Sequence, residues 1–231
     1  MHLVKLIKTA SPMANGLAIG SIFLLAAKIF IFNQMPEIVP GAFEFGVMSD
    51  AILTSVVASY VFYLLVVHLK EQTDKATVRP YIAKHAKRIV GDCEALLTEV
   101  SNASGSPLAL NSTKKSVESA LNKIAPNSSA PLILSNLGRN ATWPEFFSYR
   151  HIRTKSSCRK LLDQLPLLDA QLIYRVVAID DCSLFVQIEM VISAPISNSD
   201  MTFLSSTFHG YIELCSNLDT LIKTSELALE S

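Results

Sequence analysis

Nine side chains have the types that most often do chemistry: His2, His68, His85, His151 and His209, and Cys93, Cys158, Cys182 and Cys215. A metal centre needs ligands gathered at turn or helix spacing, as in CxxC or HExxH, and no histidine here has a second ligand type so placed. His85 precedes Asp92 and Cys93 by about two helical turns, too far along one helix for a catalytic pair. P-loop, GxGxxG and GxSxG motifs are absent. The expectation is therefore a protein that is not an enzyme, with no catalytic residue, no metal and no cofactor. The four cysteines read as reduced thiols in a reducing compartment.

A different chemistry attaches to Lys28 and Asp50. Lys28 is the only charge in an apolar stretch from Met13 to Phe32, and Asp50 is the only Asp, Glu, Lys or Arg in a second stretch from Phe45 to Leu69. About 20 residues of helix cross the hydrocarbon core of a bilayer, so spans at about 13–32 and about 45–69 are expected. An ionised group inside such a span costs a few kcal/mol unless it is paired, reaches the headgroups or faces water, on the order of 3 kcal/mol on insertion scales. Lys28 and Asp50 can pair with each other, snorkel separately, or line an aqueous path in an oligomer. Thr54, Ser55 and Ser59, with Ser49, Tyr60 and Tyr63, make the second span the better water-facing wall. The membrane or pore candidates are thus Lys28, Asp50, Thr54, Ser55 and Ser59.

Small residues suggest how such spans assemble. Gly16 and Gly20 form a GxxxG, and Ala51, Ser55 and Ser59 repeat every four residues, so each set lies on one helix face where backbones can approach closely. Gly16 and Gly20 fall at the opposite depth from Ala51 and Ser55. The two faces therefore do not satisfy each other within one chain, and at least one is expected to pack between subunits as a homo-oligomer.

The elements that position these residues follow from composition. The chain has 231 residues, with 20 Lys plus Arg against 20 Asp plus Glu. Zero net charge argues against nucleic-acid binding by bulk charge and against an acidic disordered tail. Charged residues make up 17% and mean hydropathy is +0.35, whereas soluble domains carry about 25% charged residues. The apolar excess lies in the first 70 residues, which predicts a transmembrane hairpin (1–69) followed by a helical domain (70–231). Pro36, Pro40 and Gly41 supply the turn. Lys5 and Lys8 before an apolar run resemble the start of a signal peptide, but no small-x-small cleavage site follows, so an uncleaved anchor is expected. Lys5 and Lys8 precede the first span, and Lys70, Lys75, Arg79, Lys84, Lys87 and Arg88 follow the second. The loop between them has Glu37 and Glu44 and no Lys or Arg. Positive residues stay inside, so both termini of a multi-pass membrane protein in contact with lipid are expected in the cytoplasm.

In residues 70–231, Pro80 suits the first turn of a helix. Ile82, Ala86, Ile89, Cys93, Leu96 and Val100 then form a seam along one face. Leu204, Phe208, Tyr211, Cys215, Leu218 and Ile222 form a second, with an N-cap region at Ser199–Asp200. Two such seams imply a helical bundle. Residues 101–111 and 125–131 read as loops, 113–124 as a short helix, Trp143-Pro144-Glu145 as a helix start, and 156–165 as a helix interrupted by Pro166. Residues 167–192 read as two helices meeting at Asp180-Asp181; a strand pair turning at those aspartates is the rival reading. Arg150, Arg153, Arg159 and Lys160 sit in a stretch with six basic residues against Glu145, followed by an acidic C-terminal part. That stretch either meets an anionic partner (headgroups, nucleic acid or an acidic protein) or is a solvated face balanced by the acidic half.

Three segments carry a resemblance: the span end Ala58-Ser-Tyr-Val-Phe-Tyr63, the basic segment Val78-Arg-Pro-Tyr-Ile82, and Leu165-Pro-Leu-Leu-Asp-Ala-Gln-Leu-Ile173. With the order hairpin then helical domain, the chain resembles the two-transmembrane membrane effectors of retrons, which are bacterial anti-phage systems. The resemblance implies an effector held inactive by a reverse transcriptase carrying its RNA–DNA hybrid, and damage to the inner membrane with arrest of the infected cell on release. It assigns no residue. A membrane-anchored scaffold or adaptor with a non-conducting hairpin is the competing expectation, and a subunit of a transporter or envelope complex is a third.

Overall fold

The computed structural model describes residues 7–31, 33, 41–135, 137–193 and 197–225. The expected turn prolines Pro36 and Pro40, the loop acid Glu37, Lys5 and the span end at Phe32 lie outside the described residues. The chain divides into two compact units, Met1–Thr77 and Val78–Ser231. The described residues are mainly helical, with one two-stranded sheet.

In the first unit, α1 runs Pro12–Phe30, opened by a proline whose missing N–H costs nothing at a helix start. Helix α2 runs Ala42–Phe62 behind Gly41, whose φ of +88° is open to glycine and strained for other residues. A six-residue π-helical turn, Tyr63–His68, links α2 to α3, Leu69–Ser104. Both apolar stretches are long and apolar enough to cross a membrane, with mean hydropathy 1.7 for Pro12–Phe30 and 2.1 in the best window of Phe43–Ser104. Only 11% of either window is buried within the chain.

Pro80 corrects the sequence reading. It lies inside α3 rather than opening a helix. An interior proline drops one backbone hydrogen bond and crowds the preceding turn. Here the turns before it are reinforced locally: Lys75 pairs with Glu71 at 2.7 Å, and the Thr73 and Thr77 hydroxyls donate to the carbonyls of Leu69 and Thr73 at 2.9 Å. The boundary between the two units, after Thr77, falls three residues before it.

In the second unit both expected seams are core. Ile82, Ala86, Ile89, Cys93, Leu96 and Val100 of α3 are buried, as are Leu204, Phe208, Tyr211, Cys215, Leu218 and Ile222. Helix α4, Lys114–Leu121, is capped by Thr113, whose hydroxyl accepts from the Ser116 N–H at 3.3 Å. Strands β1, Ser129–Leu134, and β2, Arg139–Thr142, pair antiparallel with Ser129 opposite Thr142 and Leu134 opposite Arg139. This hairpin differs from the sequence reading, which has a loop at 125–131 and its rival strand pair at 176–188, where the helices Ala170–Asp180 and Ser183–Ser193 meet; the first strand is short and interrupted by Pro131, and the second, Arg-Asn-Ala-Thr, is polar.

Helix α5, Trp143–Leu162, starts with a capping box in which Thr142 and Glu145 satisfy each other's backbone N–H groups. It is one helix where a separate one at 156–165 was expected, and Pro166 falls in a short 3-10 turn after it. Helices α6, Ala170–Asp180, and α7, Ser183–Ser193, meet at Asp181 as read from the sequence. Helix α8, Ser205–Thr224, follows a 3-10 turn at 202–204, and Asp200 caps that turn rather than α8, accepting from the Thr202 N–H at 2.9 Å. Helix α5 packs on α6 and on α7, and α4, α6 and α7 pack on α8. Edge-to-face rings tie the core together, Phe147 with Phe208 and Trp143 with Phe146, centroids 5.3 and 5.8 Å apart.

Candidate functional site

The first unit joins its two apolar helices through polar contacts at three levels. At one end the Lys28 ammonium donates to an Asp50 carboxylate oxygen and to the Gly46 carbonyl. Near the other end of α1, the Tyr60 hydroxyl donates to Asn15 Oδ1. Beyond it, buried His68 meets the Thr9 hydroxyl at 2.9 Å and stacks on Tyr63, centroids 6.0 Å apart. Helical rise separates Asp50 from Tyr60 by about 15 Å and Tyr60 from His68 by about 12 Å, so the rungs span nearly a hydrocarbon thickness.

Of the three fates open to Lys28 and Asp50, the structure takes pairing. Their side chains are 18% and 42% exposed. The pair depends on Gly46, which the sequence reading passed over: a Cβ there would lie 3.2 Å from Lys28 Cε and Nζ. Asp50 Oδ1 is buried with no partner, so the carboxylate keeps one acceptor free. An ion pair removed from water is tolerated only while both members are present.

The small-residue candidates lie elsewhere. Gly16 and Gly20 are exposed, and a Cβ built on either meets nothing within 4 Å. Ala18 and Ser21 are the buried positions of α1, roughly 160° around the helix from Gly16 and Gly20 in the case of Ala18. On α2 the half-buried residues are Gly46, Ser49, Asp50, Leu53, Val56, Val57 and Tyr60, whereas Ala51, Thr54, Ser55 and Ser59 are exposed. The pore and packing candidates thus separate: Lys28 and Asp50 lie between the two helices, and both small-residue faces turn away from that contact.

In the second unit, the basic candidates on α5 also separate. Asp92 on α3 is only 3% exposed in its side chain and takes Arg150 at 3.5 Å and Arg153 at 3.1 Å. Arg150 lies over the Phe146 ring at 5.2 Å and Arg153 over Tyr149 at 5.7 Å. Two of the four cations are therefore held by their own fold. Arg159 and Lys160 are exposed, with no carboxylate partner among the described residues. The solvated-face reading balanced these cations with the acidic C-terminal part; an acid on α3 does it instead. Its signal was available, since an aspartate next to a seam position needs a buried partner.

His151 and the four cysteines lie buried in the second unit. His151 is 4% exposed and stacked on Phe185 at 4.1 Å, and burial holds its imidazole below the usual range, with Lys155 adding to the effect. All four cysteines are free and buried. The neighbouring Cys215 thiol, then burial, push Cys93 well up, and burial pushes Cys182 up to about 11. Thiols so raised stay protonated and unreactive at neutral pH. No group of three metal-ligating side chains gathers among the described residues. Comparison with protein-family models, with curated proteins and with solved structures gives no match to this chain.

Proposed function

We propose that the chain is an inner-membrane effector of a bacterial anti-phage system. It crosses the membrane twice as a hairpin, keeps both termini and its helical bundle in the cytoplasm, and assembles as an oligomer. A partner complex holds it inactive, and release lets it impair membrane integrity. By the resemblance above, that partner is a reverse transcriptase carrying its RNA–DNA hybrid.

One observation carries the reading: Ser55 and Ser59 are exposed on the side of α2 opposite Asp50, with Thr54 exposed beside that side. In lipid, a hydroxyl-lined, small-residue face is best solvated by another subunit or by water. A path through an oligomer would then be walled by these hydroxyls, not by Lys28. The second reading, a membrane-anchored scaffold with a non-conducting hairpin, draws on the Lys28–Asp50 pair, because a mutually neutralised pair suits a passive span.

Expression of the chain alone, with membrane potential and growth followed, separates the two. Rapid depolarisation is expected for the effector, and Ser55→Leu with Ser59→Leu should abolish it at unchanged membrane levels. Normal growth and potential with full membrane insertion would leave the scaffold reading.

A further inference from the structure

The inward positions along α2 and into the turn that follows it are Gly46, Asp50, Leu53, Val57, Tyr60 and Leu64, stepping by four and three in alternation as one face of an α-helix does. The next such step is Val67. Yet Val67 is 48% exposed, and His68 is buried at 5% in its place. The cause is the π-helical turn Tyr63–His68, after which the Leu69 N–H donates to the Leu64 carbonyl, five residues back rather than four. A π turn absorbs close to one extra residue, and one residue is about 100° of helix rotation. On a continuous α-helix His68 would lie about 80° round from Tyr60; with the extra residue absorbed it returns to within about 20° of it.

That rotation brings His68 to the segment before α1. Its Nε2 shares a hydrogen bond with the Thr9 hydroxyl at 2.9 Å, and its ring stacks on Tyr63. The same segment is fastened from α1: the Asn15 amide donates to the Ile7 carbonyl at 2.8 Å, while the Asn15 oxygen accepts from Tyr60. Leu65, Val66 and Val67 of the turn are exposed and apolar, so their side chains hold neither form. The π form is rare because the same residues ordinarily close to α, and single π turns occur where a contact requires the extra residue. Here that contact is His68 on Thr9.

We propose that Tyr63–His68 is a one-residue register switch. The Thr9–His68 contact holds it in the π form, and loss of that contact lets it close to α and turns the start of α3 by about 100° about its own axis relative to α2. Val67 then takes the inward position that His68 leaves. The two forms exchange one hydrogen bond and one buried side chain, so a change at the segment 7–10 moves the balance between them. Every residue involved belongs to the unit Met1–Thr77, and the switch serves an effector and a scaffold alike.

The test measures the rotation in the full chain in neutral detergent, by double electron–electron resonance between spin labels at Ala58→Cys and Lys70→Cys. Both positions are exposed, and the four native cysteines are buried. Twelve residues apart, the labels stand about 120° apart around an all-α helix and about 20° apart when the turn absorbs a residue, so closing to α should lengthen their distance by about 5 Å. The parent should give chiefly the short distance. Thr9→Val, which removes one hydrogen bond, should raise the long-distance population about twofold to tenfold. Thr9→Ser should leave it as in the parent. His68→Ala, which removes the bond and the stacked ring together, should make the long distance dominant. Deleting Val66 removes the extra residue itself. His68 then follows Leu64 by three, the labels stand about 20° apart on an α-helix, and the short distance should persist with or without Thr9→Val. A parent that already gives the long distance, a short distance kept by both Thr9→Val and His68→Ala, or lengthening by Thr9→Val in the chain lacking Val66 would overturn the proposal.

Discussion

Lys28 and Asp50 are 22 residues apart, and each is tolerable in an apolar setting because of the other. Removing one partner leaves a lone charge, whereas removing both leaves none. Lys28→Leu should therefore lower insertion or the yield of folded protein, and Lys28→Leu with Asp50→Leu should restore it. Gly46→Val should mimic the single variant, because the new side chain takes the space of the Lys28 ammonium. Membrane-fraction immunoblots of the variants read this directly; equal levels in all would show that the pair contributes nothing. His151 gives a pH prediction. Its folded-state pKa is depressed, chiefly by burial, while Lys155 disfavours and Glu189 and Asp180 favour the charged form. A depressed imidazole contributes stability above the unfolded value of about 6.5, and the contribution is lost as pH falls through the folded-state value. The opening free energy that hydrogen exchange gives for α5, after correction for the fall of the intrinsic rate with pH, should thus decrease from pH 7 to pH 5, and His151→Gln should flatten that dependence. An unchanged slope in the variant would assign the effect to His85 instead, whose pKa is lowered in the same direction.

At the scale of the element, α1 and α2 each have two different faces. One face of each makes the polar rungs; the other exposes Gly16 and Gly20 on α1, and Ala51, Ser55 and Ser59 on α2. Since apolar surface gains nothing by leaving lipid for another apolar surface, close backbone packing at small residues is the force left for assembly. Gly16→Leu with Gly20→Leu, or Ser55→Leu with Ser59→Leu, should reduce crosslinked oligomers severalfold without reducing insertion. Crosslinking equal to the parent in both would place the subunit contact on another face. Helix α5 is divided along its length in a comparable way. Arg150 and Arg153 stabilise the fold through Asp92, so a loss of partner binding on changing them reports folding as well, whereas Arg159→Gln with Lys160→Gln reports surface binding alone.

For the whole molecule, the flanking cations predict one topology. Reporter fusions at Gly41 and at Ser231 should show the loop outside and the C-terminus in the cytoplasm. A C-terminal fusion active only on the outer side would reverse the assignment. The described residues combine a unit built on apolar length with a unit built on packed seams, and the two unit types leave different traces in sequence.

Those traces explain what was legible. The spans, both seams, the α6–α7 corner at Asp180-Asp181 and the helix start at Trp143-Pro144-Glu145 are written in consecutive residues, through hydropathy, helical period and helix-start chemistry. Such signals are local, so the sequence alone determined them. Which face of α1 meets α2 is not local. Small and large apolar side chains dissolve equally well in lipid, so no period marks the inward face, and only the Lys28–Asp50 and Asn15–Tyr60 contacts of the tertiary structure decided it. The same holds for the basic stretch. Arg150 and Asp92 lie 58 residues apart, and charge counting along the chain paired the arginines with the wrong acids. The structure also decided that Pro80 stays within a helix and that residues 129–142 pair as strands, because hydrogen bonds and ion pairs made by neighbouring side chains and strands can outweigh a propensity of about 1–3 kcal/mol.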